Sequence, residues 1–128
     1  MDDLVQFLRD RLDDDQRTAD AAAADLGPGW SYSSGMGWVV ATRESDWFAT
    51  GSQEWLAPEH GEHIARHDPA RILAEIDAKR RMIDDTWGGP DHQDMWSHHM
   101  RLLALPYAAH PDYRDDWRPY PAAVTPPQ

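Results

Sequence analysis

At 128 residues the chain has the length of one domain, and its 41% hydrophobic and 27% charged residues are typical of a folded protein. The formal net charge of −11 argues against the basic surface that nonspecific nucleic-acid binding needs. The absence of cysteine excludes disulfides, thiolate metal sites and a cysteine nucleophile, and it is compatible with a reducing, cytoplasmic compartment. No segment has the pattern of a signal peptide or of a membrane span, so we expect neither export nor membrane insertion.

The first predicted element is an amphipathic helix from Asp2 or Asp3 to about Ala24. Its apolar residues recur at three- and four-residue spacing, as on a helix with one buried face: Leu4, Val5, Leu8, Leu12, Ala19, Ala22, Ala23 and Leu26. The acidic run 13–15 has low helix propensity and predicts a kink or fraying, and Gly27-Pro28-Gly29 ends the helix. Because the stripe is long for a domain of this size, we expect part of it to be buried in a homodimer.

Short aromatic and β-branched runs, separated by turn residues, follow over residues 30–50. They predict a small antiparallel hairpin or a three-stranded sheet, with strands at 30–32, 38–42 and 47–50. A sheet of this size must pack one face on helices. Four tryptophans in or beside the sheet either fill that face or form an exposed platform for a ligand: Trp30, Trp38, Trp47 and Trp55.

Three further helices are predicted. The second helix runs from Glu59 to about Arg66, and the third from Pro69 to about Thr86 with Asp68 as its N-cap. The last runs from about Asp91 to Leu105 and is ended by proline. Its predicted inner side consists of Met95, Trp96, His99, Leu102 and Leu103.

Residues 106–121 combine prolines with aromatic side chains and predict an extended strap. Stiff aromatic segments lose little entropy on docking, so we expect the strap to lie on the junction of the second and third helices. The predicted fold is α+β, with four helices packed with the small sheet and wrapped by the strap. Residues 1–121 form a single compact domain in this interpretation, and residues 122–128 form a flexible tail.

The densest group of chemically active side chains lies in residues 60–68. His63 and His67 are four residues apart and share one helix face, a spacing at which two imidazoles can bind a divalent metal such as zinc. A complete site needs a third ligand, and the candidates are Glu59, His60, Asp68, His110 and Asp112. The glutamate of a zinc-protease HExxH motif is missing, because Ile64 follows His63. The alternative, which we favour, is that both histidines bond structurally to a carboxylate or carbonyl.

Other signals of chemistry are weaker. His98 and His99 are adjacent, so they point in different directions and cannot bind a metal together without further ligands. We expect one to face the core and the other to face solvent. No glycine-rich loop has the spacing of a nucleotide-binding motif, and no serine lies in a nucleophile elbow.

Three blocks of the sequence resemble a family of small actinobacterial and actinophage proteins catalogued only as a domain of unknown function. The blocks are DDLVQFLRDRLDDD at the N-terminus, HIARHDPARILAEIDAKRRMID at 63–84 and RLLALPYAAHPDYRDDWRP at 101–119. The resemblance implies an actinobacterial or phage origin, in agreement with a composition that has one lysine and no asparagine. It implies no activity. If the strap folds back over the third helix, His63, His67, His110 and Tyr113 could meet, and we take Arg66, Tyr107, His110 and Tyr113 as candidate binding residues.

These observations favour a non-enzymatic protein-interaction or accessory factor of an actinobacterium or its phage, without a cofactor. One alternative is a divalent-metal-binding protein or metal-dependent hydrolase that uses His63 and His67. The other is an acidic mimic of DNA that sequesters a DNA-binding protein, since such mimics need dense carboxylates.

Overall fold

A computed structural model describes residues 1–41, 46–50, 55–85 and 93–119, with the backbone alone at 46–50. The elements are α1 (Asp2–Leu26), β1 (Trp30–Ser33), β2 (Trp38–Ala41), β3 (Asp46–Thr50), α2 (Pro58–Arg66), α3 (Pro69–Asp84) and α4 (Gln93–Ala104), followed by 3-10 turns at Leu105–Tyr107 and Asp115–Trp117. The predicted α+β fold is confirmed. Within these ranges no helix has the length and apolar character to cross a membrane.

Contacts along the chain define two compact units. The first unit contains Met1–Leu12 and the described residues from Lys79 onward, and the second unit contains Asp13–Ala78. The single domain expected over residues 1–121 stays a prediction. The tail expected at 122–128 lies outside the described residues.

α1 is one helix from Asp2 to Leu26 and continues through the acidic run at 13–15 without a break. Its end follows the predicted glycine signal, because Gly27 has φ +85° and donates its N–H to the Ala23 carbonyl at 2.8 Å. In the first unit its buried side chains are Leu4, Phe7, Leu8 and Leu12. Three of these four belong to the predicted stripe, and they are buried within one chain. A homodimer through this stripe stays a prediction that would require these contacts to open.

The sheet has three antiparallel strands in the order β1-β2-β3. Trp30 pairs with Ala41 and Tyr32 with Val39, so these side chains share one face of the sheet. Val39 and Ala41 are fully buried on that face. The second unit therefore has a core in which the sheet packs on α2, built from Val39, Leu56 and Ala65 with Trp30, Tyr32 and Ile64 around them.

A glycine allows the sheet to approach α2 closely. A Cβ atom placed on Gly61 would overlap a ring carbon of Tyr32, so no side chain fits there. The Tyr32 hydroxyl donates to the Leu56 carbonyl at 2.7 Å, which fixes the ring in this position. Helix, strand and the segment before α2 are thus joined at one point.

Asp68 is the N-cap of α3, as predicted. Its Oδ1 accepts the N–H of Arg71 at 2.9 Å, the capping bond to the third helical residue. Its Oδ2 accepts the N–H of Trp30 at 3.1 Å. The same carboxylate therefore caps a helix and holds the first residue of β1.

The predicted inner side of α4 was wrong. The buried residues of this helix are Met100 and Ala104, with exposed fractions of 1% and 0%. Met95 and Leu102, which the sequence assigned to the core, are 56% and 43% exposed. His99 is also exposed, while Trp96 and Leu103 are half-buried. The helix has apolar residues on two sides, and periodicity alone does not show which side faces the core.

Candidate functional site

Aromatic rings from the C-terminal segment surround Phe7 of α1 in the first unit. The ring centroids of Tyr107, His110, Tyr113 and Trp117 lie 6.4, 5.6, 5.9 and 5.1 Å from that of Phe7. Most of the pairs are edge-to-face, the arrangement that aromatic quadrupoles favour. Three of the four predicted binding residues thus form a packed cluster.

This cluster differs from the predicted strap in its conformation. The segment is not extended, because it forms two 3-10 turns, and His110 and Tyr113 each donate a backbone N–H to the carbonyl three residues earlier. Its rings contact Phe7 of α1, and the predicted position on the junction of α2 and α3 stays a prediction. Sequence analysis left Phe7 out of the buried stripe. Its position three residues after Leu4 was the signal that could have included it.

Charged side chains surround the cluster. Arg114 forms an ion pair with Asp3 at 3.3 Å and lies 5.2 Å from the ring of Trp117. Arg101 of α4 donates to the Asp116 carbonyl at 2.5 Å. The Tyr113 hydroxyl is buried and has no hydrogen-bond partner in the described part of the chain. This hydroxyl contributes no specific contact, so the cluster is a packing arrangement that fixes the C-terminal segment.

The predicted histidine pair lies in the second unit. The rings of His63 and His67 are 4.5 Å apart, and Nδ1 of His67 bonds to the His63 carbonyl at 2.7 Å. A carbonyl oxygen only accepts, so Nδ1 carries a hydrogen in this bond. Arg66, the fourth predicted binding residue, pairs with Glu62 on the same helix at 3.8 Å.

His63 and His67 belong to a different unit from His110 and Tyr113. Across residues 1–41, 55–85 and 93–119 the side chains include no group of three histidine or acidic residues arranged to hold a metal. The bond of His67 to the His63 carbonyl is of the kind expected for a structural histidine, and metal binding by the pair stays a prediction.

Three exposed apolar side chains of the first unit lie on the outer side of α4 and at Leu105, the residue that follows this helix. Met95, Leu102 and Leu105 are 56%, 43% and 39% exposed. Together with His98 they occupy every third or fourth position, and we call these four residues the outer seam. The ring centroids of His98 and His99 are 6.3 Å apart. Sequence analysis assigned Met95 and Leu102 to the inner side of this helix. An apolar stripe has the same spacing whether it faces the core or a partner, so spacing could not identify these residues as exposed.

Residues 1–119 match the model of a "Family of unknown function (DUF6221)". The chain belongs to this family. The match spans all three blocks on which the resemblance rested, and it brings no activity with it. No curated protein and no solved structure matches the chain.

Proposed function

We propose that this member of the family is a non-enzymatic interaction protein whose docking surface is the outer seam, and that a second copy of the chain occupies it. The observation that carries the proposal is the contrast between the two sides of α4. Met100 and Ala104 are almost fully buried, whereas Met95 and Leu102 are about half-exposed. A helix with apolar side chains on both sides is typical of one that is covered on both sides.

The spacing of the outer seam fits helix pairing. Met95, His98, Leu102 and Leu105 follow one another at intervals of three, four and three residues, the a and d positions of a coiled-coil heptad. Methionine and leucine at such positions insert between the side chains of a facing helix. With little more than one heptad, the seam is short and supports a weak, reversible dimer.

Charge flanking the seam favours a second copy over an unrelated partner. Asp94 and Arg101 are seven residues apart, so they lie on the same side of the seam. When two copies of α4 pack antiparallel about a two-fold axis, Asp94 of one copy faces Arg101 of the other, and the contact occurs twice. Arg101 already donates one N–H to the Asp116 carbonyl, which leaves its other donors for the carboxylate.

Sedimentation of the full chain tests the docking surface. We expect a monomer–dimer equilibrium, and we expect Leu102→Ser to weaken it at least about tenfold, because the variant replaces an apolar side chain of the buried seam with a polar one. Met82→Ser is the matched control, since Met82 is an exposed apolar residue of α3 and lies outside the seam. A wild-type chain that stays monomeric at high micromolar concentration would refute the proposal, as would equal effects of the two variants.

A charge exchange tests the antiparallel arrangement. Asp94→Arg or Arg101→Asp alone should weaken the dimer by placing like charges opposite each other, and the double variant should restore it. Because Arg101 also bonds to Asp116, a thermal melt of each variant checks that the fold persists. Failure of the double variant to recover would show that the helices do not pair in this orientation.

The proposal extends to an accessory role in the cytoplasm of an actinobacterium or its phage, which the arginine-rich, lysine-poor composition supports. An acidic DNA mimic is supported by the net charge of −11. Against it, several carboxylates are already paired with arginines: Asp3 with Arg114, Asp14 with Arg17, Asp84 with Arg9 and Asp115 with Arg118. Because arginines neutralise these carboxylates locally, the surface presents less negative charge to a DNA-binding protein than the net charge of −11 suggests.

Weak divalent-metal binding by His63 and His67 is the second candidate. It is supported by the hydrogen bond from Nδ1 of His67 to a carbonyl, the kind of bond that orients metal-binding imidazoles. Titration with zinc should then shift the ring signals of both histidines, and His63→Ala should abolish the shift at His67. A shift confined to His98 and His99 would contradict this candidate.

A further inference from the structure

A cavity of about 330 Å³ lies in the second unit, beside the start of α3. Most of its lining is apolar and comes from the second half of α1, from the first residue of β1 and from the start of α3: Ala19, Ala22, Trp30, Pro69 and Ile72. The remaining lining residues are Asp15, Thr18 and His67. The volume lies within the range of small-molecule sites, which are mostly apolar with a few polar groups. The apolar walls are therefore the main source of contacts for a ligand.

Hydrogen bonds within the chain hold the walls of this cavity in place. The Asp68 carboxylate accepts the N–H of Trp30 at 3.1 Å and the N–H of Arg71 at 2.9 Å. Ala70 donates its N–H to the Pro28 carbonyl at 2.9 Å. The ring of Trp30 also packs on the core of the second unit. The cavity is therefore preformed, and a preformed site costs a ligand little ordering of the protein.

The backbone at the start of α3 does not favour an anion. Helix N-termini bind anions through free backbone N–H groups. Pro69, the first residue of α3, has no N–H, and the next three residues each donate theirs to a carbonyl or carboxylate oxygen of the chain. The eight lining residues that the structure describes also include no arginine or lysine. A negatively charged ligand would therefore meet neither free amides nor a permanent positive charge.

The polar side chains of the lining already have partners within the chain. The Thr18 hydroxyl donates to the Asp14 carbonyl at 3.2 Å. Nδ1 of His67 bonds to the His63 carbonyl at 2.7 Å, and Asp15 also has a partner. A charged ligand loses hydration against the apolar walls, and groups that are already bonded compensate poorly for that loss. The lining therefore favours an uncharged ligand.

From this geometry we infer that the cavity binds a small uncharged aromatic molecule. Trp30 is half-buried, so part of its ring can contact a ligand, and the aliphatic side chains of α1 and α3 supply the other walls. Two aromatic rings attract each other beyond the effect of their buried area, which favours an aromatic ligand over an aliphatic one of equal size. The inference does not rest on the proposed function, because the cavity and the outer seam belong to different units.

Calorimetric titration of the full chain with matched probes tests this inference. Benzyl alcohol is the uncharged aromatic probe, cyclohexylmethanol is its aliphatic counterpart, and benzylammonium and benzoate are its charged counterparts. We expect benzyl alcohol to bind at least about threefold more tightly than cyclohexylmethanol, the size of one aromatic pair, and at least about tenfold more tightly than either ion. No binding of benzyl alcohol at millimolar concentration, or equal or tighter binding of any other probe, would overturn the inference.

Paired alanine substitutions test whether the probe binds in this cavity. Ala22→Leu fills part of the cavity and should weaken binding of benzyl alcohol at least about tenfold. Ala21→Leu adds the same volume at the adjacent residue, which is exposed and outside the lining, and should change binding less than about twofold. Equal effects of the two variants would refute the site. In the wild-type chain, benzyl alcohol should shift the NMR signals of the Trp30 ring, identified with Trp30→Phe, and unchanged signals would refute the site even where Ala22→Leu fails to fold.

Discussion

The two compact units fill their interiors in opposite ways. In the first, four rings from the C-terminal segment surround the side chain of Phe7. In the second, the ring of Tyr32 lies where a side chain on Gly61 would be. The packing of the first interior depends on the large side chain of Phe7, and the packing of the second depends on the lack of a side chain at Gly61. The first should therefore be sensitive to truncation and the second to added volume.

Phe7→Ala should have the largest effect. It removes the ring at the centre of the cluster, and we expect a loss of about 4 kcal/mol in the free energy of unfolding, as for other buried aromatic truncations. Chemical denaturation measures it, with Met82→Ala as the exposed control. A loss below about 1 kcal/mol would show that the C-terminal rings pack adequately without Phe7.

Gly61→Ala tests the opposite sensitivity. In most helices this change stabilises, because glycine is a poor helix former. Here the new methyl group would overlap a ring that its own hydrogen bond holds in place, so we expect a loss of about 2 kcal/mol. Gly35→Ala is the control, since a methyl group there would meet no atom within 4 Å and the φ of Gly35 is not positive. A stabilised Gly61→Ala variant would mean that Tyr32 moves at little cost.

Asp68→Ala removes an N-cap and also leaves the Trp30 N–H without its acceptor. The expected loss is between about 1 and 2 kcal/mol, the upper part of the range for a cap alone. Thermal or chemical denaturation measures it. Asp68→Asn keeps an acceptor oxygen and should recover most of the loss. An Asp68→Asn variant as unstable as Asp68→Ala would indicate that charge and not capping matters.

Removal of one tyrosine hydroxyl from each interior should give the smallest changes in stability. Tyr32→Phe removes a hydroxyl that donates to Leu56 and should cost about 1 kcal/mol. Tyr113→Phe removes a buried hydroxyl that has no partner in the described part of the chain, and it should be neutral or slightly stabilising. Both are measured by denaturant midpoint. A loss at Tyr113 as large as that at Tyr32 would reveal a hydrogen bond at its hydroxyl.

Local signals predicted the ends of the elements well. Gly27 ends α1, Asp68 begins α3, and the aromatic runs form the three predicted strands. Each of these features depends on the chemistry of a few neighbouring residues, such as a left-handed glycine or a capping carboxylate. The sequence contains that chemistry completely, so no distant contact is needed to infer it.

Features that depend on distant contacts were predicted less well. The face that α4 buries depends on which of two apolar stripes meets the rest of the first unit, and Met95 and Met100 are equally apolar. The seat of the C-terminal rings depends on Phe7, which lies almost a whole chain length away in sequence. Periodicity shows that a stripe exists and leaves its partner unspecified.

The sequence also could not predict which residues line the cavity beside the start of α3. His67 was selected for its spacing from His63, but its accompanying groups come from α1 and β1, which spacing does not connect. Trp30 was considered as a core residue of the sheet or as part of an exposed aromatic platform for a ligand. The bond from Nδ1 of His67 to the His63 carbonyl is visible only in three dimensions.

The division of α1 between the two units has a consequence for synthesis on the ribosome. The second unit is one continuous stretch, Asp13–Ala78, whereas the first joins Met1–Leu12 to residues from Lys79 onward. During translation Phe7 emerges before the rings that enclose it, which follow it by at least 100 residues. The sheet and α2 can therefore fold while the N-terminal turns of α1 still expose an apolar surface. Pulse-labelled hydrogen exchange should show amides of β2 protected before those around Phe7, because closing a loop across nearly the whole chain is the slower step.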